Sequence, residues 1–165
     1  MLDRLLSAPE DDEYVEAVLK ETLRLRPPAS DATRVLTRAT EIAGYSLPAG
    51  TQVVVPLPLL HLRADTYRDP HEFRPERWLE GEGAPYTFIP FGGGVRRCIG
   101  ASFANLEMKV VLRTVLERAR LRAASPKPEA PRLHHVVVIP TRGGRVVMTE
   151  RAAPRPRAAD AAVAA

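Results

Sequence analysis

The sequence predicts a mainly α-helical chain that also contains small antiparallel β units. Two helical patterns support this prediction, one near the N-terminus and one over residues 101–124, a stretch without Gly or Pro. Short segments rich in β-branched residues lie between and after these helices, bounded by turn-forming residues. The 165 residues are 45% apolar and 27% charged, which is the composition of an ordinary soluble globular domain.

The pair Asp11-Asp12 can cap the N-terminus of the first predicted helix, which is expected to end before Pro27-Pro28. Glu21 and Arg24 lie three residues apart in this helix, so both side chains are on the same side of it. An ordinary solvated pair at this spacing would stabilise the helix by only a few tenths of a kcal/mol.

A small β region is predicted to follow this helix. Its segments with strand character cover residues 34–38, 41–47 and 51–55, with a Pro-Ala-Gly turn at residues 48–50. Short helical turns are expected around residues 64–79. The second long helix is then expected to be amphipathic and buried, with apolar residues that include Phe103, Leu106 and Val110.

The C-terminal region is predicted to contain a second β unit. Residues 122–131 are expected to form a proline-rich loop, and the Thr-Arg-Gly-Gly sequence at residues 141–144 predicts a hairpin between segments 135–139 and 145–149. His134 and His135 are a weak metal signal, because adjacent residues on a strand point to opposite faces.

The most informative segment runs from Phe91 to Gly100 and contains Cys98, the only cysteine in the chain. A zinc site needs three or four protein ligands, and no second cysteine can supply them. Haem iron needs a single proximal ligand from the protein, because the porphyrin nitrogens provide four others. One thiol is therefore enough for haem and too few for most zinc sites.

The chemistry of this segment agrees with a haem thiolate. Cys98 directly precedes a predicted helix N-terminus, where the helix dipole and unpaired N–H groups favour an anion. Gly94 and Gly100 let the backbone run close to a flat macrocycle, and Arg96 can bind a carboxylate at the cofactor edge. The alternative is a glycine-rich turn in which a buried cysteine acts as a small hydrophobic residue.

Residues 91–100 match the pattern Phe-x-x-Gly-x-Arg-x-Cys-x-Gly at every fixed position, and this segment resembles the haem-ligand loop of the cytochrome P450 family. Residues 21–24 (Glu-Thr-Leu-Arg) resemble the Glu-x-x-Arg helix of that family. Residues 73–78 (Phe-Arg-Pro-Glu-Arg-Trp) resemble its Pro-Glu-Arg-Phe segment, with Trp in place of Phe. The resemblance implies the C-terminal portion of a cytochrome P450-type haem domain over residues 1–150, and residues 151–165 are predicted to be a disordered tail.

The resemblance implies a haem-thiolate monooxygenase that inserts one oxygen atom from O2 into an organic substrate, using electrons from a redox partner. Cys98 would be the catalytic residue and the iron ligand of haem b (iron protoporphyrin IX). The other cofactor-binding residues of the loop would be Phe91, Gly94, Arg96 and Gly100.

Four further residues receive a role from the same resemblance. Glu21, Arg24 and Arg77 would form a buried network that fixes the loop below the haem. Arg34 matches a position at which many relatives place an arginine against a haem propionate, although an arginine at the start of a strand can equally face solvent.

The net charge and the hydropathy of the chain indicate which classes of binding partner to expect. The net charge of +4 does not predict nucleic-acid binding, because the arginines are spread along the chain without an aromatic platform. An acidic electron donor, a ferredoxin or a flavoprotein, is the expected partner near the thiolate side of the haem. The sequence shows no signal peptide and no apolar stretch of about 18 residues, which predicts a cytoplasmic protein without a membrane anchor.

Members of the resembled family are more than twice as long as this chain. The long helix that crosses the distal face of the haem has no counterpart here, and most substrate-contacting segments would lie upstream. Apolar surface that the absent helices would cover is expected to be exposed. An alternative to the enzyme is therefore a truncated, non-catalytic remnant that at most binds haem.

Overall fold

The computed structural model describes residues 11–81 and 83–151, so the predicted disordered tail lies outside the described residues, except for Arg151. The helices in this part of the chain are α1 (Asp12–Leu25), α2 (Leu57–His61) and α3 (Ala101–Arg118), and 3₁₀ turns cover Pro75–Trp78 and Gly94–Arg96. The strands are β1 (Asp31–Val35), β2 (Thr40–Ile42), β3 (Tyr45–Leu47), β4 (Gln52–Pro56), β5 (Ala119–Ala123), β6 (Pro131–His134), β7 (Val137–Pro140) and β8 (Val146–Arg151).

The strands pair in two-stranded antiparallel sheets. The pairs are β1 with β4, β2 with β3, β5 with β8 and β6 with β7. This arrangement of helices with small antiparallel β units is the predicted fold class, which is confirmed.

The helix α1 forms for the reasons that the sequence indicates. The Asp11 carboxylate accepts a hydrogen bond from the backbone N–H of Tyr14 at 3.0 Å and so satisfies an N–H group that the first turn leaves unpaired. The apolar side of α1, which includes Val15 and Val18, is buried in a cluster with Leu116 of α3. This apolar cluster holds the two long helices, α1 and α3, together.

The predicted end of the second long helix was wrong. The helix α3 ends at Arg118, and the next five residues form β5 instead of continuing to residue 124. These residues alternate between small or apolar and basic side chains (Ala-Arg-Leu-Arg-Ala), which is the period of a strand. Pairing with β8 overrides their helical propensity.

The predicted C-terminal hairpin was also wrong in its partners. The strand β7 forms a hairpin with the preceding strand β6 through a tight turn at His135. The strand β8 pairs instead with β5, which is distant in sequence. Because His135 has a left-handed backbone (φ 55°), the rings of His134 and His135 lie 4.5 Å apart between centroids and not on opposite faces.

The strands of the first β region have different bounds from those predicted. The segment expected as one strand over residues 41–47 is the hairpin β2–β3, which turns at Ala43 and Gly44 with φ of 50° and 84°. The strand expected at residues 34–38 lies earlier, in β1, and the short helix α2 was not predicted.

The second long helix was predicted to be buried, and this prediction was wrong for most of α3. Only Ala101 and Leu116 are buried, whereas Phe103 is 70% exposed and Leu106 is 61% exposed. The expectation of exposed apolar surface is therefore confirmed along this helix. Within the described residues, no helix combines the length and the apolar character that crossing a membrane requires.

Candidate functional site

A buried ion cluster joins α1 to the 3₁₀ turn at residues 75–78. Arg24 binds the Glu21 carboxylate in a bidentate manner, through Nε to Oε2 at 2.9 Å and through Nη2 to Oε1 at 2.8 Å. Arg77 Nε also donates to Oε1, at 3.1 Å. The structure thus brings together the three residues Glu21, Arg24 and Arg77, and all three are fully buried.

Two further donors complete the environment of the Glu21 carboxylate. The backbone N–H of Arg74 donates to Oε1 at 2.9 Å, and the indole N–H of Trp78 donates to Oε2 at 3.0 Å. Sequence reasoning missed both donors. The Trp in the Pro-Glu-Arg-Trp segment was a signal that could have revealed one of them, since a buried indole N–H needs an acceptor.

The guanidinium groups of the cluster also hold the chain that connects α2 to the 3₁₀ turn. Arg24 donates to the carbonyl oxygens of His61, Pro70 and Glu72 at 2.9, 2.7 and 3.1 Å. Arg77 binds the carbonyl oxygens of residues 68 and 69 at 2.8 and 3.3 Å. The irregular segment 61–72 is therefore fixed by the planar forks of two arginines.

The cluster is arranged to keep Glu21 ionised. Burial by itself would raise the pKa of this carboxyl, but the hydrogen bonds from Arg24 and Arg74 N–H and the positive charges of Arg24 and Arg77 outweigh it and lower the pKa. Both guanidinium groups bind the Glu21 carboxylate, and both also donate to backbone carbonyl oxygens of the segment 61–72.

His61 connects the cluster to the cysteine segment. Its carbonyl oxygen accepts from Arg24, and its ring Nε2 accepts a hydrogen bond from the backbone N–H of Ile89 at 3.1 Å. Burial lowers the pKa of His61 to about 4, so the ring is neutral at physiological pH and Nε2 can act as the acceptor. Ile89 lies two residues before Phe91, where the cysteine loop begins.

The cysteine loop, residues 91–100, is closed by one backbone hydrogen bond. The N–H of Cys98 donates to the carbonyl oxygen of Phe91 at 2.9 Å. The turn between them uses Gly92 and Gly94 with φ of 72° and 65°, a left-handed conformation that disfavours residues with a Cβ. Gly100 precedes α3, and the Cys98 side chain is exposed.

The arginines near the loop are also exposed. Arg34, on β1, donates from Nη2 to the carbonyl oxygen of Gly93 at 3.2 Å, so this strand contacts the loop directly. Arg96 lies within the loop itself, in the 3₁₀ turn. Neither guanidinium makes an ion pair with a carboxylate of residues 11–81 or 83–151, which leaves both able to bind an added anion.

The residues around Cys98 fit a haem group. Val95 and Ile99 are fully exposed on either side of the thiol in sequence, and they provide apolar side chains for a flat macrocycle. A Cβ at Gly94 would meet nothing within 4 Å, and one at Gly100 would meet the Cys98 sulfur at 3.8 Å, so neither glycine is crowded by other described residues. A cysteine sulfur, exposed apolar side chains and two guanidinium groups are what an acidic porphyrin requires.

A cleft of about 490 Å³ lies between α1, α3 and the beginning of the cysteine loop. Its charged lining residues are Glu16, Lys20, Arg97 and Lys109. Glu16 binds Lys109 at 2.7 Å and Lys20 at 2.9 Å, and these contacts lower the pKa of Glu16 to about 2. Arg97 contributes an exposed positive charge within the loop, next to Cys98 in sequence.

Comparisons with known proteins agree on one family. The family model of cytochrome P450 matches residues 10–148 of the chain. A Mycobacterium bovis protein named as cytochrome P450 135B1 is 51% identical over 138 residues, which cover 84% of this chain and 29% of that protein. A Mycobacterium tuberculosis protein named as cytochrome P450 137 is 41% identical over 133 residues, covering 81% and 28%.

Solved structures give the same result for the fold. The retinoic acid-bound cyanobacterial CYP120A1 superimposes with a TM-score of 0.76 at 30% identity and covers 84% of this chain and 33% of its own. The haem domain of cytochrome P450DA superimposes with a TM-score of 0.73 at 26% identity. The chain thus spans about 29% of the length of the first curated relative.

Proposed function

This chain belongs to the cytochrome P450 family, and we propose that it provides the thiolate side of a haem monooxygenase. The observation that carries the proposal is the exposed Cys98 in a loop closed by the Phe91 carbonyl, directly before α3. Bound haem b would supply the activation of O2 that inserts one oxygen atom into an organic substrate.

In this proposal the cysteine loop orients the ligand. The bond from Cys98 N–H to Phe91 fixes the backbone of the ligand residue, and the unpaired N–H groups at the start of α3 stabilise negative charge on the sulfur. Val95 and Ile99, both fully exposed, would pack against the bound macrocycle and exclude water from the thiolate. Arg34 and Arg96 would hold the propionate groups through charge-assisted hydrogen bonds.

The buried ion cluster supports this loop from below. Arg24 holds the His61 carbonyl, and the His61 ring holds the N–H of Ile89, just ahead of the loop. Glu21 in turn orients Arg24 and Arg77. The cluster therefore positions the ligand loop although none of its three charged side chains belongs to it.

Electrons would come from an acidic ferredoxin or flavoprotein. Arg97 is exposed beside the ligand, and Lys20 and Lys109 line the adjacent cleft. Complementary charge would speed the encounter and make electron transfer dependent on ionic strength. Replacing Arg97 with Gln should reduce the salt dependence of the reduction rate, and an unchanged salt dependence would contradict this part of the proposal.

The test of function uses a chimera, because the chain spans about 29% of its relative. Residues 11–151 of this chain replace the matching portion of the Mycobacterium bovis relative, and the chimera is compared with the isolated chain and with a Cys98→Ala chimera. We expect a haem-loaded chimera that turns over an organic substrate, with no turnover in the variant. A chimera that folds and binds haem but never oxidises a substrate would favour the non-catalytic alternative.

A further inference from the structure

We propose that Trp78 is a positioning residue whose indole N–H orients the Glu21 carboxylate between Arg24 and Arg77. Its Nε1 donates to Oε2 of Glu21 at 3.0 Å. The hydrogen bond and its effect on the ion cluster do not depend on haem. Only the effect of Trp78 on the cysteine loop rests on the proposed function.

The distribution of donors makes this hydrogen bond important. Oε1 of Glu21 accepts from Arg24 Nη2, Arg77 Nε and the backbone N–H of Arg74, whereas Oε2 accepts only from Arg24 Nε and Trp78 Nε1 among the described residues. Without the indole N–H, a fully buried carboxylate oxygen would keep a single donor. A buried charged acceptor that loses a donor destabilises the folded state because water cannot replace the lost hydrogen bond.

The position of the indole is determined by packing as well as by its hydrogen bond. Its ring lies 4.6 Å from the ring of Phe88 and 6.2 Å from that of Tyr67, both measured between centroids and both tilted. Tyr67 is also contacted by the guanidinium groups of Arg24 and Arg77, at 5.1 and 5.9 Å. The N–H is thus aimed at Glu21 by a rigid aromatic environment.

The same side chain joins the cluster to the segment that leads into the cysteine loop. Phe88, which contacts the indole ring, directly precedes Ile89, whose N–H binds His61. The resembled motif has Phe where this chain has Trp78. A Phe would keep the ring contact but could not donate to Glu21, so the substitution adds one hydrogen bond to a charged group.

The resulting pH dependence separates orientation from simple packing. The indole N–H binds the ionised form of Glu21, whose pKa is already lowered, so its contribution is present at neutral pH and disappears as Glu21 becomes protonated in acid. The other groups that face this carboxylate are Arg24 on α1, Arg77, the Arg74 N–H and Tyr67, whose pKa is raised by burial and therefore lies far from the acid range. His61, on α2, has its pKa lowered to about 4 by burial and is present in both the parent and the variant.

The test compares the parent chain with Trp78→Phe in urea unfolding without haem, from pH 7 down to pH 3. We expect the variant to shift the unfolding equilibrium roughly 10- to 100-fold toward the unfolded state at pH 7, and this difference to shrink in acid. The matched control is Phe88→Leu, which disturbs the same aromatic contact but keeps the donor. Phe88 also contacts the His61 ring, at 5.5 Å between centroids, so any pH dependence of the control reports on His61. A Trp78→Phe difference that shrinks no more in acid than the Phe88→Leu difference would overturn the proposal.

A second measurement observes the indole N–H directly, because Trp78 is the only tryptophan in the chain. Its indole N–H gives a single NMR signal, which should exchange slowly with solvent and shift when Glu21 is protonated. Replacing this residue with a tryptophan analogue that has sulfur in place of the indole N–H should reproduce the Trp78→Phe result. An indole signal that exchanges as fast as that of free tryptophan would overturn the inference. Since neither measurement involves haem, failure here is distinguishable from failure of the proposed function.

Discussion

Removing the carboxylate of Glu21 should destabilise the protein more than any surface substitution. Glu21→Ala removes the carboxylate that the fully buried guanidinium groups of Arg24 and Arg77 share. Breaking a buried ion pair in this way costs about 3–5 kcal/mol. A domain of this size has a free energy of unfolding of about 5–15 kcal/mol, so the loss is a large fraction of the total.

The assay is urea and thermal unfolding followed by far-UV circular dichroism and by the fluorescence of Trp78, which contacts the cluster directly. At about 2–4 °C per kcal/mol, the melting temperature should fall by roughly 6–20 °C. We also expect the Glu21→Ala protein not to incorporate haem. Arg24 would no longer be oriented to hold the His61 carbonyl, and the His61 ring binds the N–H of Ile89 just before the cysteine loop.

The matched control is Glu13→Ala, which removes an exposed carboxylate from the same helix. Its effect on the free energy of unfolding should stay within about 0.5 kcal/mol. The reasoning would be refuted by a Glu21→Ala protein that loses less than about 1 kcal/mol and still retains haem normally. It would also be refuted if the two variants behaved alike.

Three further predictions concern the ends of the helices and the charge on α1. Asp11→Ala should cost about 1 kcal/mol in thermal unfolding by removing the α1 cap, Asp11→Ser should restore most of it, and equal losses would exclude capping. Gly94→Ala should lower the free energy of unfolding by about 1–2 kcal/mol, because φ at this residue is 65° and a Cβ disfavours that conformation. Gly100→Ala should be tolerated, because φ there is −80°. The opposite order of the two variants in unfolding experiments would contradict the loop geometry. The pKa of Glu16 is lowered to about 2, so its contribution is present above pH 4.5 and is lost as the pH falls toward 2. Lys109→Met should reduce stability at pH 7 and flatten this acid loss, and an unchanged pH profile would show that the ion pair has no effect.

The parts of the fold that the sequence predicts well are those determined locally. The cap at Asp11, the spacing of Glu21 and Arg24 and the glycines before Cys98 are all readable within a few residues. Each depends on backbone geometry that neighbouring residues impose. Their positions in the structure follow directly from these short-range preferences.

The features that the sequence did not predict depend on distant partners. Residues 119–123 have good helical propensity, and only their pairing with β8 makes them a strand. The donors Trp78 and Arg74 reach Glu21 from more than 50 residues away, so the sequence around Glu21 does not indicate them, although the Trp itself signals that its N–H needs an acceptor. Likewise, the apolar positions of α3 show helical spacing, but that spacing does not reveal whether another part of the protein covers them.

The central claim is that Cys98 is the thiolate ligand of a haem iron. The most direct measurement is the absorption spectrum of the haem-supplied chain, alone and in the chimera, after reduction and exposure to carbon monoxide. We predict a strongly red-shifted Soret band in the parent chimera that is lost in both Cys98→Ser and Cys98→Ala. A red-shifted band that persists without the Cys98 sulfur, or a haem-loaded parent chimera that never shows it, would contradict the claim.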